Sequence, residues 1–223
     1  MITLLLLLAQ FQIPFPGTGA SGPPTPSNYL FIDTVGVGAL ATGTTSNVDT
    51  SGSSIIFLEV SGGLSVVPTP SDSKSNTWIA LNTNTGNGST FNNTLYYCKP
   101  CIVGTGHNFS FTGATSAGSI IAAWFSGGMQ AFDLQGADNV FGTNTSPAIV
   151  PNNNNEIVIT GDIPQNVNAT GVTPGWTVAL IIPFVGGNNF SSGFAYQIQT
   201  TAASAQAVWA PPGISAVSIS AFQ

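Results

Sequence analysis

The chain has 223 residues, of which only Lys74, Lys99 and eight Asp or Glu are charged, 4% of the total against about 25% in a typical soluble domain. With no arginine and a net charge of −6, it cannot build the basic stripe that grips nucleic-acid phosphates or an anionic lipid surface, so neither nucleic-acid nor electrostatic membrane binding is expected. Hydrophobic residues still reach 43% and aromatics 10%, which excludes a disordered chain and leaves solubility to Asn, Thr, Ser and Gly.

The first element is an apolar run at residues 2–9, under half the ~18–20 residues that span a membrane. It is similar to the core of a secretory signal, but no positive charge precedes it and no small-x-small cleavage site follows. It is read as a retained assembly arm, with a secretion signal or anchor as the alternative; the candidate arm residues are Ile2, Leu4, Leu5, Leu6, Leu7, Leu8, Phe11, Ile13 and Phe15. Gly, Ser and Pro up to Pro26 form an extended tether, since proline fixes φ and removes a donor. The expected organisation is an arm at 1–27 and one domain at 28–223.

From Tyr29 onward short β-branched and aromatic runs alternate with Asn/Gly/Thr/Ser clusters, which predicts strands and no helix. Strands are expected at 29–35, 54–61, 77–82, 90–98, 107–112, 119–125, 156–161, 177–184, 193–200, 206–209 and 214–222. The predicted fold is all-β, a two-sheet antiparallel sandwich of jelly-roll type. Ile120-Ile121-Ala122-Ala123-Trp124-Phe125 is apolar on both faces and should lie centrally between packed layers. The last strand alternates, which places Val217 and Ile219 inward and Ser218 and Ser220 toward water. Asn152 to Asn155 reads as a solvated turn into a strand. No repeat at a fixed period stands out.

The chemical inventory is small. The single histidine, His107, excludes a three-His metal site and reads as a structural, hydrogen-bonded residue at a strand entry. Glycoside hydrolysis needs two facing carboxyls; Asp133 and Asp138 are close in sequence, and Glu59, Asp72 and Glu156 lie in or beside strands. Their simpler reading is turn-capping Asp and solvent-facing strand Glu. Cys98-Lys99-Pro100-Cys101 is a lone CxxC after a strand, too few cysteines for a zinc ribbon; it is either a local disulfide pinning a turn or two free thiols. No catalytic, metal or cofactor site is expected, and Trp124, Phe125, Tyr96 and Tyr97 are read as an aromatic core rather than a sugar-stacking platform.

Asp72-Ser73-Lys74-Ser75-Asn76-Thr77-Trp78, Leu95-Tyr96-Tyr97-Cys98, Val103-Gly104-Thr105-Gly106-His107-Asn108-Phe109-Ser110 and Ala123-Trp124-Phe125-Ser126-Gly127 occur in that order. Together they resemble a β-sandwich domain of phage and prophage virion proteins and of some bacterial surface proteins. The resemblance covers about 54–222; Phe132-Asp133-Leu134 departs from it in order. It implies a non-enzymatic structural protein of a virion surface (head decoration, fibre or tail component), partnered by other virion proteins and by itself. The alternative is a secreted or cell-surface carbohydrate-binding module that holds a host-surface glycan.

Overall fold

The computed structural model describes residues 29–39, 41–63, 66–86, 91–115, 117–128, 131–136, 143–183 and 190–223; the candidate arm residues Ile2 to Phe15 and Asp138 lie outside them. Fifteen strands occur there: β1 (Leu30–Ala39), β2 (Gly43–Thr44), β3 (Ile55–Gly63), β4 (Thr69–Asp72), β5 (Ile79–Gly86), β6 (Phe91–Cys98), β7 (Phe109–Thr112), β8 (Gly118–Ser126), β9 (Phe132–Gln135), β10 (Glu156–Pro164), β11 (Gly171–Val172), β12 (Thr177–Ile182), β13 (Ser192–Gln199), β14 (Trp209–Ala210) and β15 (Ser215–Phe222). All eleven expected segments overlap a strand, the one at 206–209 only at Trp209, the first residue of β14. The short β2, β4, β9 and β11 carry too little apolar pattern to have been foreseen.

Two antiparallel five-stranded sheets, β1-β8-β3-β6-β5 and β12-β13-β10-β15-β9, face each other. Ile55, Phe57, Ile121 and Phe125 of the first meet Ile157, Ile159, Phe194 and Phe222 of the second in one core. The outer face of the first sheet, with Ile56, Leu58, Ile120 and Trp124, is covered by a small sheet β2-β7-β4 through Phe109 and Phe111. The outer face of the second, with Val217 and Ala195, is covered by the β11-β14 pair through Trp209 and by Ala207 just before β14. Four layers result, and this is why central strands such as β3 and β8 are apolar at both parities.

The same layering corrects the reading of the last strand. Val217 and Ile219 pack outward under the covering segments, while Ser218 and Ser220 share the inner parity of Ala216 and Phe222 and are buried. Alternation tells core from water only when one face is wet, and here neither is. The jelly-roll expectation is also corrected: each sheet draws on one half of the chain, whereas a jelly roll exchanges strands between its sheets.

No fixed period is present in the sequence, yet the structure shows an internal duplication. Within each half, counting its five sheet strands in chain order, the third pairs the fourth, the fourth the second, the second the fifth and the fifth the first. The registers coincide: Ile55 lies opposite Phe125 as Ile157 lies opposite Phe222, and Tyr97 opposite Ile79 as Tyr196 opposite Thr177. The first strand of each half bulges at the same place, between Phe31 and Asp33 and between Phe132 and Leu134. The covers agree too. Thr45 N–H donates to Phe109 O while its Oγ1 accepts from Phe109 N, and Ser146 makes the same two bonds with Ala207.

Candidate functional site

The resemblance-bearing segments converge beside the outer face of the first sheet. Asp72 ends β4 and its carboxylate accepts from Lys74 N (2.7 Å), Asn76 N (3.2 Å) and Trp78 Nε1 (2.8 Å), an Asx-type turn that fixes the entry to β5. Asn76 then pairs with the backbone of Ile102: its Oδ1 accepts from Ile102 N (2.6 Å) and its Nδ2 donates to Ile102 O (3.1 Å). A Cys98–Cys101 disulfide closes the turn between β6 and Ile102.

Behind this turn His107 is fully buried. Its Nδ1 lies 2.9 Å from Thr50 Oγ1, and its Nε2 lies 3.2 Å from Asp72 Oδ1 without hydrogen-bond geometry. Burial lowers the imidazole pKa, and Asp72 opposes that only in part. Hydroxyl, imidazole and carboxylate thus stand in a row, the order an acyl-transfer site uses. However, Thr50 and His107 are both enclosed, and Thr50 Oγ1 also accepts from Gly104 N (3.0 Å). No substrate atom can reach that hydroxyl, so the row is a brace between loops.

Asp72 caps a turn as expected, but the strand glutamates depart from their expected solvent-facing positions. Glu59 is fully buried between the two sheets, because its neighbours of the same parity, Phe57 and Ser61, face the second sheet. Its Oε1 accepts from Ser61 Oγ and from Asn93 Nδ2 (2.6 Å), and Asn93 Oδ1 accepts from Ser218 Oγ. With the Ser119–Ser192 bond (2.7 Å) these groups form a polar seam between two apolar clusters. Oε2 has no donor. Burial, with a smaller push from Asp162, raises the Glu59 pKa well above the usual carboxylate range; burial does the same for Asp162 on the other face of β10.

A third acidic group joins Asp133 and Glu156. Asp133 occupies the bulge of β9 and accepts from Asn152 N (2.8 Å) and Nδ2 (2.7 Å). Glu156, buried at the start of β10, accepts at Oε1 from Asn153 N (2.9 Å). Its pKa is raised by burial first and then by the Asp133 charge beside it. The expected turn at Asn152 to Asn155 holds the two together; the seam and this pair were both missed. A lone Glu59 inside the apolar run Ile55 to Val60 was the signal available for the seam.

Among the described residues no three His, Cys, Asp or Glu side chains converge as metal ligands, and no helix is long and apolar enough to cross a membrane. Trp124 and Phe125 are fully buried, on opposite faces of β8. No known protein family, curated protein or solved structure matches this chain.

Proposed function

We propose that the chain is a non-enzymatic structural protein of a phage virion surface, a head-decoration, fibre or tail component. It assembles through its N-terminal arm with other virion proteins and with copies of itself. The observation that carries this reading is where the reactive groups go. His107, Glu59, Asp162 and Glu156 are all buried in turns, seams and loop anchors. The charge-poor remainder of the surface can be covered by a neighbour without stripping water from ions. An apolar arm adds backbone and side-chain contacts of the same uncharged kind.

Deleting residues 1–10 tests it. The truncated chain should keep its β-rich circular dichroism and its melting temperature but no longer enter particles, and normal incorporation overturns the reading. The Cys98–Cys101 disulfide favours one second reading, a secreted or cell-surface glycan-binding module, because such bonds persist in oxidising compartments. A glycan array with the full chain checks it, and absence of binding to every glycan removes it.

A further inference from the structure

We propose that Asp133 and Glu156 form a binding site for a hard divalent cation, Ca2+ in the first place, which ties the bulge of β9 to the loop of Asn152 to Asn155. Two adjacent residues of that loop, Asn152 and Asn153, donate backbone N–H groups to the two carboxylates, so the acids flank one point of the chain. Glu156 is fully enclosed, yet its Oε2 has no hydrogen-bond donor. Asp133 is the charge beside it, and it remains partly exposed, with Asn152 exposed above it. Two carboxylates side by side need a proton or a cation between them. Of the two lysines, Lys74 is engaged away from the pair, its Nζ donating to Thr105 O (2.8 Å).

The duplicated half supplies an internal control. The position equivalent to Asp133 on the other bulge is Ile32, and Ser54 stands where Glu156 does. The same backbone therefore forms without either acid, and the scaffold does not require an enclosed carboxylate pair. Carboxylate and amide oxygens are the donor set that Ca2+ accepts, with a flexible coordination number that Mg2+ does not share. With two carboxylates, waters and neutral oxygens of the Asn loop would complete the shell, and the dissociation constant should fall on the order of 10−4 to 10−3 M, the weak class of protein calcium sites.

The experiment uses the full chain, stripped with a chelator, in calorimetric titrations and thermal melts with CaCl2 or MgCl2. Ca2+ at about ten times its Kd should raise Tm by about 3–6 °C, and Mg2+ should raise it less. Glu156→Gln should abolish the binding heat and the shift while leaving the metal-free Tm unchanged or higher, since it removes a buried like charge. Asp133→Asn should abolish the response independently, should Glu156→Gln fold poorly. Asp49→Asn, an exposed acid outside the site, should keep the full response. Absence of heat and of any shift up to 10 mM (about ten times the weak end of that range), or a response preserved in Glu156→Gln and Asp133→Asn, overturns the proposal.

Discussion

Glu59 and Gly161 occupy equivalent positions in the two halves of the chain and meet face to face: a Cβ built on Gly161 would stand 2.8 Å from Glu59 Cγ and 3.1 Å from the amide of Asn93. Where the halves face each other, one copy carries a carboxylic acid and the other carries nothing. Gly161→Ala should therefore overpack the seam and cost about 1–3 kcal/mol, and Gly161→Val more. Denaturant unfolding checks this. The Gly161→Ala cost should shrink in a Glu59→Ala background, because the atom it strikes is gone.

The buried acids also set a pH dependence. Glu59 and Asp162 have raised pKa values in the folded chain, so the native state holds protons that the unfolded chain releases in the ordinary carboxylate range. Their stabilisation is complete below that range and is lost as pH rises toward the folded values, by about 1.4 kcal/mol per pH unit for each group. Melts from pH 4 to 9 should show stability falling with pH. Glu59→Gln, whose Oε1 keeps both acceptor bonds, should reduce the slope and raise Tm at pH 8; an unchanged slope would refute the assignment.

Asp72 offers a sharper local test. Removing its carboxylate leaves Trp78 Nε1 and the backbone donors of Lys74 and Asn76 without acceptors, and each such group costs about 1–3 kcal/mol if it stays buried. Asp72→Ala should destabilise the chain by at least about 2 kcal/mol, whereas Asp49→Ala, at an exposed turn, should change it by less than about 0.5 kcal/mol. Urea midpoints of the two variants decide it.

The sequence displayed the strands and the aromatic centre because β-branched and aromatic runs report burial directly. It hid what depends on which layer lies outside. Ser218 faces the seam although its strand alternates cleanly, because Trp209 and Ala207 cover the far face. The duplication was hidden for a related reason. Identity survives at Phe31 and Phe132, Ile55 and Ile157, Trp78 and Trp176, Phe91 and Phe190, Tyr97 and Tyr196, and Phe125 and Phe222. The spacing drifts, however, from 97 residues (Phe125 to Phe222) to 102 (Ile55 to Ile157) as loops change length, so no fixed period appears. The Asp133–Glu156 pair was hidden because a bulge, which residue spacing does not announce, aims Asp133 at the loop.

Closing the turn between residues 98 and 101 by a disulfide removes little chain entropy, since the loop is short. On the chain-entropy account the bond stabilises by about 2 kcal/mol. Cys98→Ala with Cys101→Ala, or reduction of the unchanged protein, should lower stability by that amount without unfolding it. Equal unfolding midpoints with and without reductant would mean that the bond contributes nothing.

The duplication makes a crossed prediction about the aromatic core. Phe31 stacks on Tyr196 (5.2 Å, 17°), and Phe125 meets both edge-on (5.4 and 5.0 Å). In the other half Phe132 stacks on Tyr97 (6.4 Å, 12°), and Phe222 meets both edge-on (5.6 and 4.9 Å). Each set takes its tyrosine from the opposite sheet, as a two-fold relation demands. Such edge-to-face pairs contribute about 0.5–1.5 kcal/mol beyond burial. Double-mutant cycles with leucine should then show coupling of that size for Phe125 with Tyr196 and for Phe222 with Tyr97. The exchanged pairs, Phe125 with Tyr97 and Phe222 with Tyr196, should add within about 0.5 kcal/mol. Coupling within each sheet but not across would contradict the two-fold exchange.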